Sequence, residues 1–239
     1  MTTSPQPTRP AFHYADPVTK KPIYSVYFAN IQTVLLEHLQ HASYAVGCIA
    51  WLTDFKILDA LAKLKGVSII IQNEIYVMKR DKRDEFRVKL RFKYEKLPQF
   101  PWLSLPAPQE EQKLMYDLLS KRKLSVRVMG EQQKRRVQHV TTTKSSHDSK
   151  TMETPTTITT IEPSTNNIAV QQPSMMHTKF LVFFDQEGKP IGVYTGSANL
   201  TANATHSVEN QIFFYDPAVA RIYFNFFLSV LPHSMDLPD

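Results

Sequence analysis

The stretch Met175–Thr201, MMHTKFLVFFDQEGKPIGVYTGSANLT, sets a histidine and a lysine at the head of an apolar run. It closes on a small, polar Gly-Ser-Ala-Asn turn. Side chains at i and i+2 of a strand share a face, so His177 and Lys179 project together while Thr178 and Phe180 face the other way. Ser197 and Asn199 repeat the two-residue step at the next turn, and a polar link then delivers Glu209 ahead of another apolar strand.

Outward from this stretch the pattern is α/β. Val26, Ile31, Val34, Leu35 and Leu39 recur at helical spacing, which predicts an amphipathic helix from about Asn30. YAVGCIAWL (Tyr44–Leu52) is a bounded apolar run typical of a strand buried on both faces. Thr53 or Asp54 can cap the helix that follows, with Ile57, Leu58, Leu61 and Leu64 as its stripe and Gly66 at its end. VSIIIQN is a second buried strand, so the unit reads as strand, helix, strand with a parallel pairing. A basic helix containing Phe86, Leu90 and Tyr94, a helix over 110–122 and the strand LSVRVMG fill the middle. The strands His177–Phe184, IGVYTG and NQIFFYD lead to a last helix with Asp216 as cap and Pro217 at its first position. The expected fold is a mixed, mostly parallel sheet flanked by helices on both faces. It forms one domain over 23–239, preceded by a flexible or extended proline-rich arm (1–22). The Thr/Ser-rich stretch 131–172 is expected to leave the sheet as a disordered surface excursion.

Composition excludes several classes. Hydrophobic content of 42% with 21% charged residues is that of a globular chain. Cys48 is the single cysteine, so neither an internal disulfide nor a thiolate zinc cluster is open to it. No apolar run is long enough to span a bilayer and no secretory h-region is seen, so an intracellular, soluble protein is expected. The net charge of +6 is unevenly placed: Lys79–Lys96 holds nine basic and four acidic residues, and Lys121–Arg136 holds seven and one. The remainder is therefore net acidic, and the asymmetry suits a polyanion, either nucleic acid or anionic lipid. A solvated helix face is the structural alternative for each run.

His177, Lys179, Ser197 and Asn199 with Glu209 behind them would make a phosphoryl-transfer site without a metal. Imidazole can attack phosphorus and form a phosphohistidine. Lysine and asparagine would stabilise charge on the non-bridging oxygens, and a carboxylate on the other ring nitrogen would fix the tautomer. The other histidines have no such company. Trp51 closes a core strand and is assigned to packing, whereas Trp102 on a proline-rich loop is a candidate base-stacking platform. Lys134, Arg135 and Arg136 are candidate guides for a polyanion. The aromatic residues of the last helix are assigned to core.

HTK, then GSAN, then the Glu209-Asn210 step resembles the H-x-K-x4-D-x6-G-S-x-N signature of the phospholipase D superfamily. The resemblance covers roughly 30–75 and 124–231. Five residues, Phe180–Phe184, separate Lys179 from Asp185 where the family has four, and DQEGKPIG reads as a lengthened hairpin turn. Asp185 and Gly196 are the structural members of the motif. With one motif in the chain, the resemblance implies a homodimer of the single-motif nuclease branch with two His177 side chains across the dyad. One attacks the phosphodiester and the other protonates the leaving oxygen, while Lys179 and Asn199 hold the phosphate. It implies neither metal nor cofactor. The expected function is thus a metal-independent endonuclease acting on nucleic acid, DNA in preference to RNA. The alternatives are a lipid phosphodiesterase or phosphatidyl transferase using the same residues, and a catalytically degenerate DNA-binding module of a larger complex.

Overall fold

The computed structural model describes residues 12–73, 84–101, 125–129, 176–202, 204, 207 and 209–237. Among them the strands are β1 (Phe12–Ala15), β2 (Pro22–Tyr27), β3 (Tyr44–Ile49), β4 (Gly66–Gln72), β5 (Val126–Met129), β6 (Lys179–Phe184), β7 (Pro190–Gly196), β8 (Gln211–Phe214) and β9 (Met235–Asp236). The helices are α1 (Ile31–Leu39), α2 (Phe55–Leu61), α3 (Glu85–Glu95) and α4 (Pro217–Val230). These residues belong to one compact unit built from 1–133 and 172–239.

Local chemistry sets the helix starts. The Asp54 carboxylate accepts from the amides of Lys56 (2.9 Å) and Ile57 (3.2 Å) at the head of α2. Asp84 accepts from Arg87 N (3.2 Å) at α3, and Asp216 from Ala218 N (2.7 Å) at α4. Each carboxylate satisfies amides that have no partner within the helix and sits at the positive end of the helix dipole.

One sheet holds all nine strands in the order β1-β2-β8-β7-β6-β3-β4-β5-β9. Its sense corrects the sequence expectation, because the sheet is mostly antiparallel. Only β3–β4 and β4–β5 are parallel, and the remaining neighbours run antiparallel. The reason is connection length. A parallel pair needs a crossover of about a dozen residues or more, which the stretch containing α2 supplies between β3 and β4. The turn Asp185–Lys189 between β6 and β7 is far too short for one and can only return the chain antiparallel. The arm expected over 1–22 is described from Phe12, where it runs as β1 and pairs with β2 at the sheet edge.

Both faces of the sheet are covered, so its central strands read as unbroken apolar runs. Leu181 and Phe183 of β6 pack with Leu35, Leu58 and Leu90 of α1, α2 and α3. The alternate residues Phe180, Val182 and Phe184 pack with Ala220, Phe224 and Phe227 of α4. On β3, Ala45 and Ile49 belong to the first core and Val46 and Cys48 to the second. The expected helix over 110–122 and the excursion over 131–172 lie outside the described residues.

Candidate active site

Ile49 at the carboxyl end of β3 pairs with Lys179 at the start of β6, so the histidine–lysine step emerges where the parallel strands end. In open α/β sheets, sites collect at this end of the strands. Two tethers place the chain there. Buried Gln72 accepts through its side-chain oxygen from the amide of Met176, the residue before His177. On the other side, Leu200 donates to the Trp51 carbonyl (2.9 Å), and its own carbonyl accepts from Thr53 N (2.8 Å) and Asp54 N (3.0 Å). The Ser-Ala-Asn turn is thereby pinned to the loop between β3 and α2.

His177 is exposed, while Lys179 beside it is only 7% exposed. The Lys179 ammonium donates to the His177 carbonyl at 2.8 Å, and Nζ lies 3.1 Å from Nδ1 and 3.3 Å from Nε2 of the imidazole. Burial lowers the pKa of Lys179 below the ordinary lysine value, and the negative charge of Glu209 works against that fall. An ammonium held in low dielectric against an imidazole is a strong electrostatic partner for an anion arriving at the ring.

The sequence expectation set Glu209 against the imidazole. Its hydrogen bond is instead with Ser197, whose hydroxyl donates to the carboxylate. Asn210 N donates to Ser197 Oγ (3.0 Å) and Ser197 N donates to the Asn210 carbonyl (3.0 Å), closing the turn onto the start of β8. Gly196 is required at this closure, since a Cβ there would lie 2.1 Å from the Asn210 oxygen. Asn199 keeps its side-chain oxygen buried with no hydrogen-bond partner among the described residues, a cost that functional sites carry.

A cleft of about 640 Å³ opens beside these groups. Trp51 and Thr53, Phe86 and Arg87 of α3, Asn199, and Glu209 all line it. Trp51, assigned from sequence to packing, is 37% exposed and meets the His177 ring edge-on, with centroids 6.3 Å apart and planes at 89°. Sequence reasoning passed over Phe86 and Arg87 as well. The signal available was an aromatic residue beside an arginine in the first turn of a basic helix. Tyr94 anchors α3 by donating to the Leu52 carbonyl, next to Trp51.

Asp185 lies at the far end of β6 from His177. Its carboxylate accepts from the amides of Glu187 and Lys189, both at 2.9 Å, and so organises the lengthened hairpin turn. Trp102, Lys134, Arg135 and Arg136 lie outside the described residues. Among the described residues no three His, Cys, Asp or Glu side chains are grouped to hold a metal, and no helix is long and apolar enough to cross a membrane.

The chain is 29% identical over 218 residues to an uncharacterised protein of Acanthamoeba polyphaga mimivirus, a match that takes in 87% of this chain and 65% of that one. The chain thus spans just under two thirds of the length of that relative. Among solved structures it is similar to NucT from Helicobacter pylori (12% identity, TM-score 0.49, 89% of this chain and 98% of that one). It is also similar to Nuc from Salmonella typhimurium, a phospholipase D family member (12% identity, TM-score 0.47, 92% and 100%). The family model described as cardiolipin synthase, PLD-like domain, matches residues 102–231, more than half of the chain. The chain therefore belongs to the phospholipase D-like family.

Proposed function

We propose that this chain cleaves phosphodiesters of nucleic acid, with His177 as nucleophile and no metal in the step. The observation that carries the reading is the buried Lys179 ammonium held 3.1 Å from the His177 imidazole at the end of β6. A phosphate drawn to that ammonium arrives at the ring nitrogen that must attack it. The imidazole nitrogen bonds to phosphorus as the bond to the leaving oxygen breaks, giving a phosphohistidine. His177 of the partner subunit gives its proton to the leaving oxygen. It then takes a proton from the water that attacks phosphorus and releases His177. Lys179 and Asn199 hold the non-bridging oxygens.

The basic segments suit a polyanion, and the single motif of the nuclease branch favours nucleic acid over lipid. The segments Lys79–Lys96 and Lys121–Arg136 concentrate the basic residues of the chain, and α3 of the first lines the cleft. The deciding experiment offers labelled single-stranded DNA, RNA and vesicles of anionic phospholipid side by side in EDTA, with His177→Ala as control. DNA is expected to be cut in preference to RNA, and His177→Ala to abolish cutting. Turnover of lipid alone, or dependence on added metal, would overturn the reading. Nucleic-acid binding without any cleavage by the unmodified chain would make it a binding module instead. Light scattering on the same samples tests the dimer, which a monomer of full activity would refute.

A further inference from the structure

We propose that the cleft beside His177 is a nucleobase pocket, with Phe86 as its stacking platform and Trp51 as the wall shared with the phosphate site. This rests on the nucleic-acid reading above and names the form of substrate: a strand with an unpaired base next to the bond being cut.

Phe86 is 48% exposed at the first turn of α3, yet its ring is not loose. It stacks on Phe55 of α2, with centroids 5.5 Å apart and an interplanar angle of 23°. A ring backed on one face by another aromatic residue offers its other face preorganised, so a ligand that stacks there pays little ordering entropy. Trp51 lines the same cleft and touches His177 edge-on, so a group in the cleft and a group at the imidazole share one indole as neighbour.

Charge then sorts what goes where. Arg87, the basic side chain among the described residues that line this lobe, is bound to Asp84 at 2.7 Å, which leaves the pair neutral. Glu209 is engaged by Ser197. Among the described residues, the cation offered to an anion at the site is Lys179, on the His177 side. Among the described residues, Asp84, Arg87 and Glu209 leave the aromatic and polar lining of this cleft with one net negative charge, which suits a flat heterocycle better than a phosphate. Its size is that of an ordinary small-ligand pocket, and its lining mixes the Trp51 and Phe86 rings with the polar groups of Thr53, Arg87 and Asn199, which fits a flat heterocycle with hydrogen-bonding edges. A base can enter only when it is out of a duplex stack, so single strands or frayed ends are the substrate.

The test uses the full chain carrying His177→Ala, so that binding is read without turnover. Fluorescence anisotropy is measured for a single-stranded oligonucleotide, the same strand with abasic residues, and the corresponding duplex. Phe86→Leu keeps the apolar bulk beside Phe55 but removes the π face, and Phe86→Trp restores it. Phe86→Leu should weaken binding of the intact single strand by roughly 5- to 100-fold, the usual worth of one stacked base. Phe86→Trp should bind like the parent, and all three should bind the abasic strand and the duplex equally. A loss of equal size on the abasic strand, or no loss on the intact one, overturns the pocket. In the chain with His177 intact, failure to cut any strand while the Phe86 effect persists sinks the phosphodiesterase reading alone. Cleavage with no Phe86 effect sinks the pocket alone.

Discussion

The hydroxyl of Ser197 donates to the carboxylate of Glu209, and that carboxylate in turn opposes the loss of charge that burial imposes on Lys179. The serine of the turn and the glutamate ahead of β8 thus act on the lysine of β6. Ser197→Ala and Glu209→Gln should each lower kcat. Because they act as one unit, the double variant should lose less than the product of the single losses. A coupling of about 0.5–3 kcal/mol is expected from the cycle. Strict additivity in steady-state rates would separate the two residues.

The same relationship sets the alkaline limit of activity. In the proposed mechanism Lys179 must be protonated to hold the phosphate, and burial lowers its pKa from the ordinary lysine value. On the alkaline side, activity is therefore held while pH stays below the folded-state pKa of Lys179 and is lost as pH rises through it. That loss should come at lower pH than for an exposed lysine. Glu209→Gln removes the contribution that raises the pKa, so the alkaline limb should move further toward neutrality. A pH profile of kcat/KM for the two proteins checks this, and an unmoved limb in Glu209→Gln would count against it.

Gly196→Ala should separate the two halves of the site. The added methyl would lie 2.1 Å from the Asn210 carbonyl, so the backbone must part where Ser197 and Asn210 exchange hydrogen bonds. We expect a stability loss of about 1–3 kcal/mol together with near-complete loss of activity. Gly188→Ala is the control, since Gly188 has φ 76° in the hairpin turn at the far end of β6. It should lower the melting temperature by strain while sparing the activity of the folded fraction. Equal activity losses in the two variants would argue against a local role for Gly196.

Much of this architecture is legible in the sequence. The apolar runs of β3, β4 and β6, the Asp54 and Asp216 caps, and the shared face of His177 and Lys179 all follow from periodicity and capping chemistry. The sense of the sheet did not. A strand buried on both faces shows the same apolar run whether its neighbour is parallel or antiparallel, and only the five-residue turn after Phe184 carried the answer. Trp51 was misassigned for a related reason. Its exposure depends on where the Leu200 turn docks, a contact about 150 residues away in sequence that no local pattern encodes. Glu209 pairs with Ser197 rather than His177, because the hydrogen bonds exchanged by Ser197 and Asn210 hold the serine hydroxyl beside the carboxylate.

Acid sensitivity should trace to a histidine far from the chemistry. His38 of α1 stacks on Phe213 with ring centroids 3.7 Å apart and planes 9° from parallel, and Tyr27 and Tyr215 meet it edge-on. Burial pushes its pKa down to about 4 from 6.5, and the charge of His41 pushes the same way. The folded chain thus resists a proton that the unfolded chain accepts. Stability is full above the unfolded-state value and is lost as pH falls through the window from about 6.5 to about 4. The loss attributable to this one group is on the order of 2 kcal/mol near pH 5. Denaturant unfolding of the parent and of His38→Phe, at neutral pH and near pH 5, isolates that share from the carboxylates that titrate in both. The variant should lose markedly less stability on acidification than the parent, whatever its stability at neutral pH. Parallel losses in the two proteins would place the acid sensitivity elsewhere in the fold.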